Sequence, residues 1–485
     1  MARSLRFASD AASLEPLLGG RLPATEIAAL AEALGRRQPT AARLRRDAEE
    51  SLLPWPLEPV AWYRLAGWPA DATPRPSRTL AYAAGDYYLQ DAGSLLALAA
   101  AGSDQTPAPA AGLRVCDLCG SPGGKATALV EAAGPDGIVV ANEPIRGRLP
   151  PLVYNLARTG SDRYAVTSLD PEQLADRLPA AFDLVLVDAP CSGQALLGRG
   201  KQQPSALSPR QVGLNAARQR RILAAAVRLL RPGGRLIYST CTFAEEENER
   251  QVAWLMEDHG VLPDHVPRLA AYRSDGSLPA YRIWPHRDRS AGAFAASLRV
   301  PADGEPAADR FPAAGPSGSA LGSSTGGQFS SGSRPPNANG RDRRRPPAEP
   351  LSRDCRQLLA SLGCDSGGVE LITSGSVVHG WPADLPAEIR SLAVAGPEWF
   401  HRTGSTWRPA HALAVRRDSA VAGVAALAAS DAEAAAYLRG EPLAIPPGSE
   451  PWLRITWQGR PLGWMKRDAG RGKNHLPPAA RLPID

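Results

Sequence analysis

Between Leu113 and about Val300, short apolar runs alternate with segments whose apolar residues recur at helical spacing. The runs LRVCDL, GIVVANE, YAVTSL, FDLVLVD, GRLIYST and AFAASLRV have the length and branched-residue content of strands. Strands alternating with helices predict an α/β domain with a doubly wound, Rossmann-like sheet over residues 104–302. Arg231, Pro232, Gly233 and Gly234 predict a tight turn ahead of GRLIYST. Upstream, LRFASDAASLEPLL and EIAALAEALGRR carry apolar residues at helical spacing, and a proline-punctuated stretch follows. YYLQDAGSLLALAAA predicts a helix with Asp91 near its start. Residues 1–103 are therefore expected to be an accessory region leaning on the sheet.

Composition changes the picture beyond residue 303. The segment PSGSALGSSTGGQFSSGSRPPNANGRDRRRPP holds almost no apolar residues, so residues 303–350 are expected to be a disordered Gly/Ser/Pro/Arg linker. Its Arg341, Arg343, Arg344 and Arg345 read as a solvated run or as phosphate contacts. Apolar residues return over 351–485, which predicts a small mixed domain. That domain ends in a hairpin followed by a basic, glycine-punctuated loop. A net charge of +6 over 485 residues permits an anionic partner without requiring one. Six cysteines are too sparse for a disulfide framework. No run of about 18 apolar residues predicts a membrane span, and MARSLRFASDAASLEPLL lacks the pattern of a cleaved leader. The expectation is a reducing, cytoplasmic setting and no membrane.

The candidate chemistry sits at predicted strand ends. DLCGSPGGK, Asp117 to Lys125, is a glycine-rich strand-to-helix turn in which Gly120, Gly123 and Gly124 free the backbone for close approach of a ligand. Glu143, ending VVANE, is placed to accept hydrogen bonds from ribose hydroxyls. These two features suit a nicotinamide dinucleotide as well as S-adenosylmethionine. Asp170 reads as an adenine contact or as a helix N-cap before Pro171. Cys116 and Cys119 form a CxxC, but no second pair follows at metal-ligand spacing, so no metal is expected. Cys191 in DAPCSG and Cys241 in STCTFAEEENE each follow a strand at the edge where open α/β sheets place ligands, and Asp188 adds a carboxyl to the first loop. A buried structural cysteine is the plain alternative for either one; two at equivalent strand ends favour chemistry.

DLCGSPGGK, DAPCSG and STCTFAEEENE together resemble the signature of the S-adenosylmethionine-dependent RNA cytosine-5 methyltransferases, in order and in spacing. PWPLEPVAWYRL and YYLQDAGSLLAL resemble that family's N-terminal segments. GRPLGWMKRDAGRGKNHLPPAARL resembles a C-terminal segment of the bacterial subgroup that modifies small-subunit ribosomal RNA. Two departures stand out: GSPGGK replaces the usual AAPGGK, and RRQPTAARLRR replaces a segment that carries an arginine–x–asparagine in the family. The resemblance implies a class I methyltransferase domain and S-adenosylmethionine held by Cys119, Gly120, Ser121, Pro122, Gly123, Gly124, Lys125, Glu143, Asp170 and Asp188. It further implies attack by Cys241 on C6 of the pyrimidine, Asp188 protonated or sharing a proton with N3, and Cys191 assisting release. RNA is the implied partner, ribosomal small-subunit RNA or subunit first, for a monomeric enzyme with an RNA-binding-like C-terminal domain.

Arg199, Lys201, Arg218 and Arg221 are candidate phosphate contacts or a solvated helix face, and His286 a substrate neighbour or a packing residue. Lys466, Arg467, Arg471, Lys473 and His475 resemble an RNA-docking loop. Other readings stay open: a ribosome-assembly factor without activity, a DNA cytosine-5 methyltransferase, or the same chemistry on transfer RNA.

Overall fold

The computed structural model describes residues 11–303 and 349–484, except 19, 72, 107, 109–111, 200, 201, 275 and 469. The linker with its arginine cluster, Lys201 and the side chain of Arg199 lie outside the described residues.

The N-terminal region opens with helices α1 (Ala11–Leu18) and α2 (Ala24–Leu34). A four-stranded antiparallel sheet follows: β1 (Thr40–Leu44), β2 (Leu57–Pro59), β3 (Ala66–Pro69) and β4 (Tyr87–Asp91), in the order β2-β3-β1-β4. A short helix, α3 (Leu80–Ala84), precedes β4. The helix expected over YYLQDAGSLLALAAA is thus a strand followed by a helix, α4 (Leu95–Ala101). The break falls at Asp91, whose side chain accepts from the Gly93 amide and caps the turn that leads into α4. All of α4 is buried, as an all-apolar helix requires. Of the RRQPTAARLRR segment, Arg43 donates to Thr127 at 2.9 Å and faces Glu131, and Arg46 donates to backbone carbonyls of Ser103 and Gln105. These arginines hold the accessory sheet to the next domain.

The central sheet contains β5 (Arg114–Asp117), β6 (Ile138–Asn142), β7 (Tyr164–Thr167), β8 (Phe182–Asp188), β9 (Leu230–Thr240), β10 (Leu262–Pro263), β11 (Ala280–Ile283) and β12 (Ala293–Arg299). Strands β9-β8-β5-β6-β7 are parallel, and β12 joins β9 antiparallel. Helices α5 (Gly124–Ala133), α6 (Leu149–Ala157), α7 (Pro171–Arg177) and α8 (Pro209–Leu229) make the crossovers, and α9 (Glu249–His259) follows β9. Alternate residues of one strand enter opposite cores: Val115 packs with α4 and α5, while Cys116 packs with α7 and α8. Burial on both faces explains the unbroken apolar runs of β6 and β8. The chain changes winding direction between β5 and β8, which leaves a crevice at their carboxyl ends.

Beyond the linker, β13 (Val369–Ser374), β14 (Val377–Pro382), β16 (Glu398–Thr403) and β17 (Thr406–Pro409) form one antiparallel sheet. The intervening β15 (Ala393–Ala395) instead pairs with β7 and extends the central sheet. A five-stranded sheet, ordered β18-β20-β21-β22-β19, uses β18 (Ala426–Ala429), β19 (Leu443–Ala444), β20 (Trp452–Trp457), β21 (Arg460–Asp468) and β22 (Arg471–Asn474). The expected hairpin is β20–β21, but the basic "loop" after it is a strand, with Lys473 directly across from Lys466. This sheet shares a core with the N-terminal one, Ile455 and Tyr437 packing with Ala42 and Tyr87. Ion pairs line the seam: Arg417 reaches the fully buried Asp86 at 2.7 Å, and Arg460 reaches Glu49 at 2.9 Å. Among the described residues no helix is long and apolar enough to cross a membrane.

Candidate active site

Two cavities open at the carboxyl edge of the central sheet and meet at Cys119. One, of about 330 Å³, is lined by Asp117, the glycine turn, Lys125, Asp188, Ser239 and Cys241 on one side and by Tyr88, Gln90 and Asp91 of β4 on the other. The second, of about 290 Å³, is lined by Glu143, Ile145, Arg148, Asp170, Arg218 and Ile222.

Strand register builds the first cavity. Strands β8 and β9 are neighbours, with Asp188 opposite Ser239, so the loops carrying Cys191 and Cys241 leave the sheet side by side. The two sulfurs lie 3.4 Å apart, both cysteines are free, and Cys241 is among the cavity's lining residues. The contact with Cys241 first, and burial second, push the Cys191 thiol well above its ordinary range, which keeps Cys191 protonated. Asp188 is held from two directions: the Lys125 ammonium lies 2.7 Å from Oδ2, and Ser239 Oγ donates to Oδ1 at 2.7 Å. Burial works against the Lys125 charge, but the Asp188 carboxylate carries its pKa upward overall. Lys125 and Asp188 thus face the cavity as a close pair.

The glycine turn is a cradle. Gly123 sits at φ +111°, where an L side chain is strained, and a Cβ there would come within 3.1 Å of Asn155. Gly124 is required for another reason: β4 presses Gln90 and Tyr88 to within about 3.0 and 3.1 Å of where its Cβ would stand. Asp117 is buried, and neither carboxylate oxygen has a hydrogen-bond partner at bonding geometry. Burial, and next the neighbouring Asp188, raise its pKa to about 7, against the opposing pull of Lys125 and the Cys119 amide. In the second cavity Glu143 accepts from the Ile145 amide at 2.9 Å and pairs with Arg148 at 3.2 Å. Asp170 caps α7 through the Glu172 amide, as its N-cap reading expects, and also lines this cavity.

S-adenosylmethionine suits this pair of cavities. An unpartnered buried carboxyl at Asp117 offers a site for an ammonium, the cradle admits a close ligand, and Glu143 with Asp170 offers acceptors for a nucleoside.

The structure therefore brings Cys119, Gly120, Ser121, Pro122, Gly124, Lys125, Asp188 and Cys241 around one cavity, with Gly123 supporting the turn and Cys191 behind Cys241. Glu143 and Asp170 join at the second cavity. Arg218 and Arg221 line its rim, Arg221 engaged bidentately with Glu172. His286 lines neither cavity; it packs beside Trp284 and meets Glu26 of α2 at 3.1 Å, a tie between α2 and the loop after β11. Burial first, and Asp117 next, push the Cys119 thiol well up, as burial does for Cys116. Among the described residues no group of three or more His, Cys, Asp or Glu is placed to hold a metal.

Sequence reading missed Arg148, whose guanidinium donates to the Ser121 carbonyl while Ser121 Oγ donates back to the Arg148 carbonyl, joining the turn to Glu143. It also missed the wall supplied by β4. In the C-terminal region Lys466 and Lys473 are exposed, and Lys466 lies 5.8 Å over the Trp452 ring. Arg467 is engaged with the backbone of Pro446 and Glu450. His475 packs on Trp452; burial, then Arg408, Lys473, Lys466 and His401, lower its pKa to about 4.

Comparison with known proteins gives the chain its family. The 16S rRNA methyltransferase RsmB/F family model matches residues 105–299, and the methyltransferase RsmF PUA domain model matches 424–482. The ribosomal RNA small subunit methyltransferase F proteins of Erwinia tasmaniensis and Citrobacter koseri are each 30% identical to the chain, over 87% of it and 84% of the relative. A crystal structure of a methyltransferase homolog protein from Pyrococcus horikoshii shares the fold at TM-score 0.50 and 22% identity, covering 60% of this chain and 99% of the other. With the glycine cradle, the paired strand-end loops and a C-terminal PUA domain all in place, the chain belongs to the RsmB/F family of 16S rRNA methyltransferases and uses S-adenosylmethionine.

Proposed function

We propose that this protein methylates C5 of a cytosine in RNA, with small-subunit ribosomal RNA as the substrate, through a transient bond between Cys241 and C6. The observation that carries the reading is the pair of sulfurs 3.4 Å apart beside the close Asp188–Lys125 pair, at the cavity that the glycine cradle lines.

C5 of cytosine is a poor nucleophile until C6 is attacked. The Cys241 thiolate adds to C6, and the C5–C6 π pair moves toward C5. Asp188 accepts from the exocyclic amine, and the Lys125 ammonium stabilises charge drawn to the ring's N3 edge. Bound S-adenosylmethionine supplies an electrophilic methyl group on a sulfonium. Loss of the C5 proton to water returns the electron pair to the C5–C6 bond and expels Cys241 as thiolate. Cys191, the protonated partner, donates its S–H to that departing sulfur. The base must leave its stack to reach the cavity, which favours an unpaired or loop nucleotide. Lys466, Lys473 and Arg408, none with an ion-pair partner among the described residues, supply phosphate contacts at the C-terminal sheets.

The test is a pair of variants assayed with RNA and cofactor. Cys241→Ala should abolish methylation. Cys191→Ala should accumulate a protein–RNA adduct that survives denaturing electrophoresis. Methylation by Cys241→Ala, or no adduct from Cys191→Ala, would refute the assignment. Bisulfite sequencing of RNA from a deletion strain identifies the cytosine.

A further inference from the structure

We propose that Glu247 and Gln219 form a clamp that positions the Cys191 thiol, and so govern release of the methylated base rather than attack on it. The inference rests on the roles proposed above for the two thiols.

Residues 191–193 belong to no helix or strand, so side chains must hold the peptide that carries Cys191. Both of its flanks are held. Gln219 Nε2, from α8, donates to the Pro190 carbonyl at 3.0 Å. The Ser192 amide donates to Glu247 Oε2 at 2.9 Å, and Gln219 Nε2 donates to the same oxygen at 2.9 Å. Glu247 is in turn fixed to the sheet, since Tyr238 donates its hydroxyl to the Glu247 carbonyl at 2.5 Å. Both clamp residues are fully buried.

The Cys241 loop is held by other side chains and amides, none of them Glu247 or Gln219. Gln194 Oε1 accepts from the Phe243 amide at 2.8 Å and the Ala244 amide at 3.2 Å, and Asn248 donates to the Thr242 carbonyl at 2.9 Å. The Ala195 amide donates to the Cys241 carbonyl at 3.1 Å. Besides the sulfur contact and these bonds from Gln194 and Ala195, the loops meet at the Ser192 and Thr242 hydroxyls, 2.7 Å apart. Disturbing the clamp therefore moves Cys191 first.

A buried carboxyl is a costly way to hold a loop. Glu247 Oε1 and Gln219 Oε1 both lack partners, and burial raises the Glu247 pKa. Well-packed apolar residues commonly do as well for stability alone. What apolar residues cannot do is grip an amide and a carbonyl on either side of one thiol. A departing sulfur needs its donor within about an ångström of the right place, a misplacement of that size costing about 100-fold in rate.

Three variants test the clamp against Cys191→Ala, with RNA and S-adenosylmethionine as probes. Glu247→Ala should lower kcat about 10- to 100-fold, leave KM for RNA unchanged, and accumulate the denaturant-resistant adduct at the wild-type rate of formation. Glu247→Gln should restore turnover, because its amide oxygen can take both hydrogen bonds while the nitrogen occupies the place of the unpartnered oxygen. Gln219→Leu, which frees Pro190 but leaves Ser192 gripped, should give the same adduct and supplies the readout if Glu247→Ala does not fold. Adduct from Cys191→Ala but from neither Glu247→Ala nor Gln219→Leu would overturn the clamp alone. Equal loss of adduct formation and turnover in both would overturn it as well, showing a merely structural role. No adduct from Cys191→Ala itself would instead overturn the reading of the thiols.

Discussion

Asp117→Asn tests the cofactor end of the site through the pH dependence of stability. Asp117 is 1% exposed, so little solvent screening softens its environment. The fold raises its carboxyl from an ordinary pKa of 3.8 to about 7, burial being the main cause. The native state thus holds this proton more tightly than the unfolded chain does. Stability contributed here is complete below pH 3.8 and is lost as pH rises toward 7, the opposite sense to a salt-bridged carboxylate. From pH 5 to pH 7 the loss spans two units at 1.36 kcal/mol each, or about 3 kcal/mol. Asparagine has no proton to lose, but its buried amide N–H groups inherit the missing partners at a cost of about 1–3 kcal/mol. Without cofactor, the variant should be the less stable protein at pH 5 and at least match the wild type at pH 8. Urea unfolding followed by tryptophan fluorescence at both pH values measures the difference, which cancels the other titrating groups. Saturating S-adenosylmethionine should flatten the wild-type slope by giving the carboxylate a cation. A wild-type-to-variant difference that stays constant between pH 5 and pH 8 would refute the reasoning.

Other expectations concern the scaffold and the RNA surface. Gly123→Ala places a side chain at φ +111°, 3.1 Å from Asn155, and should cost about 1–3 kcal/mol while weakening cofactor binding, read by thermal unfolding and calorimetry. Arg417→Ala leaves the buried Asp86 carboxylate with the more distant Arg460, 3.7 Å away, and should destabilise by about 3 kcal/mol in urea; Asp86→Ala in the same chain should recover part of that loss. Replacing Lys466 and Lys473 by alanine should weaken RNA binding and reduce the slope of log Kd against log salt by about 2; an unchanged slope would remove them from the interface.

The central sheet was legible because its strands are buried on both faces, which leaves runs such as FDLVLVD with almost nothing else to become. The accessory sheet was not. TAARL, LEP and AGWP are short and poor in branched residues, and TAARL pairs with strands far along the chain. YYLQD was absorbed into the helix that Asp91 starts because five residues without clean alternation do not announce a strand. GRGKN looked like a loop for its glycines, yet Gly472 is buried against Met465 and Ile445, where a side chain has no room. In the site, the residues found by reading were those in contiguous motifs at strand ends. Arg148, Gln219 and Glu247 act across loops through backbone groups of residues 27 to 55 positions away, and no local pattern announces such a contact.

The pairing of Ala393–Ala395 with Tyr164–Thr167 bears on how the enzyme is made. A ribosome that has reached residue 303 has already produced every parallel strand of the central sheet, yet one border of that sheet still shows bare amides and carbonyls. Asp86 likewise waits for Arg417. Until the last third of the polypeptide emerges, the half-made enzyme is sticky, so truncated translation products should precipitate rather than persist as free catalytic halves.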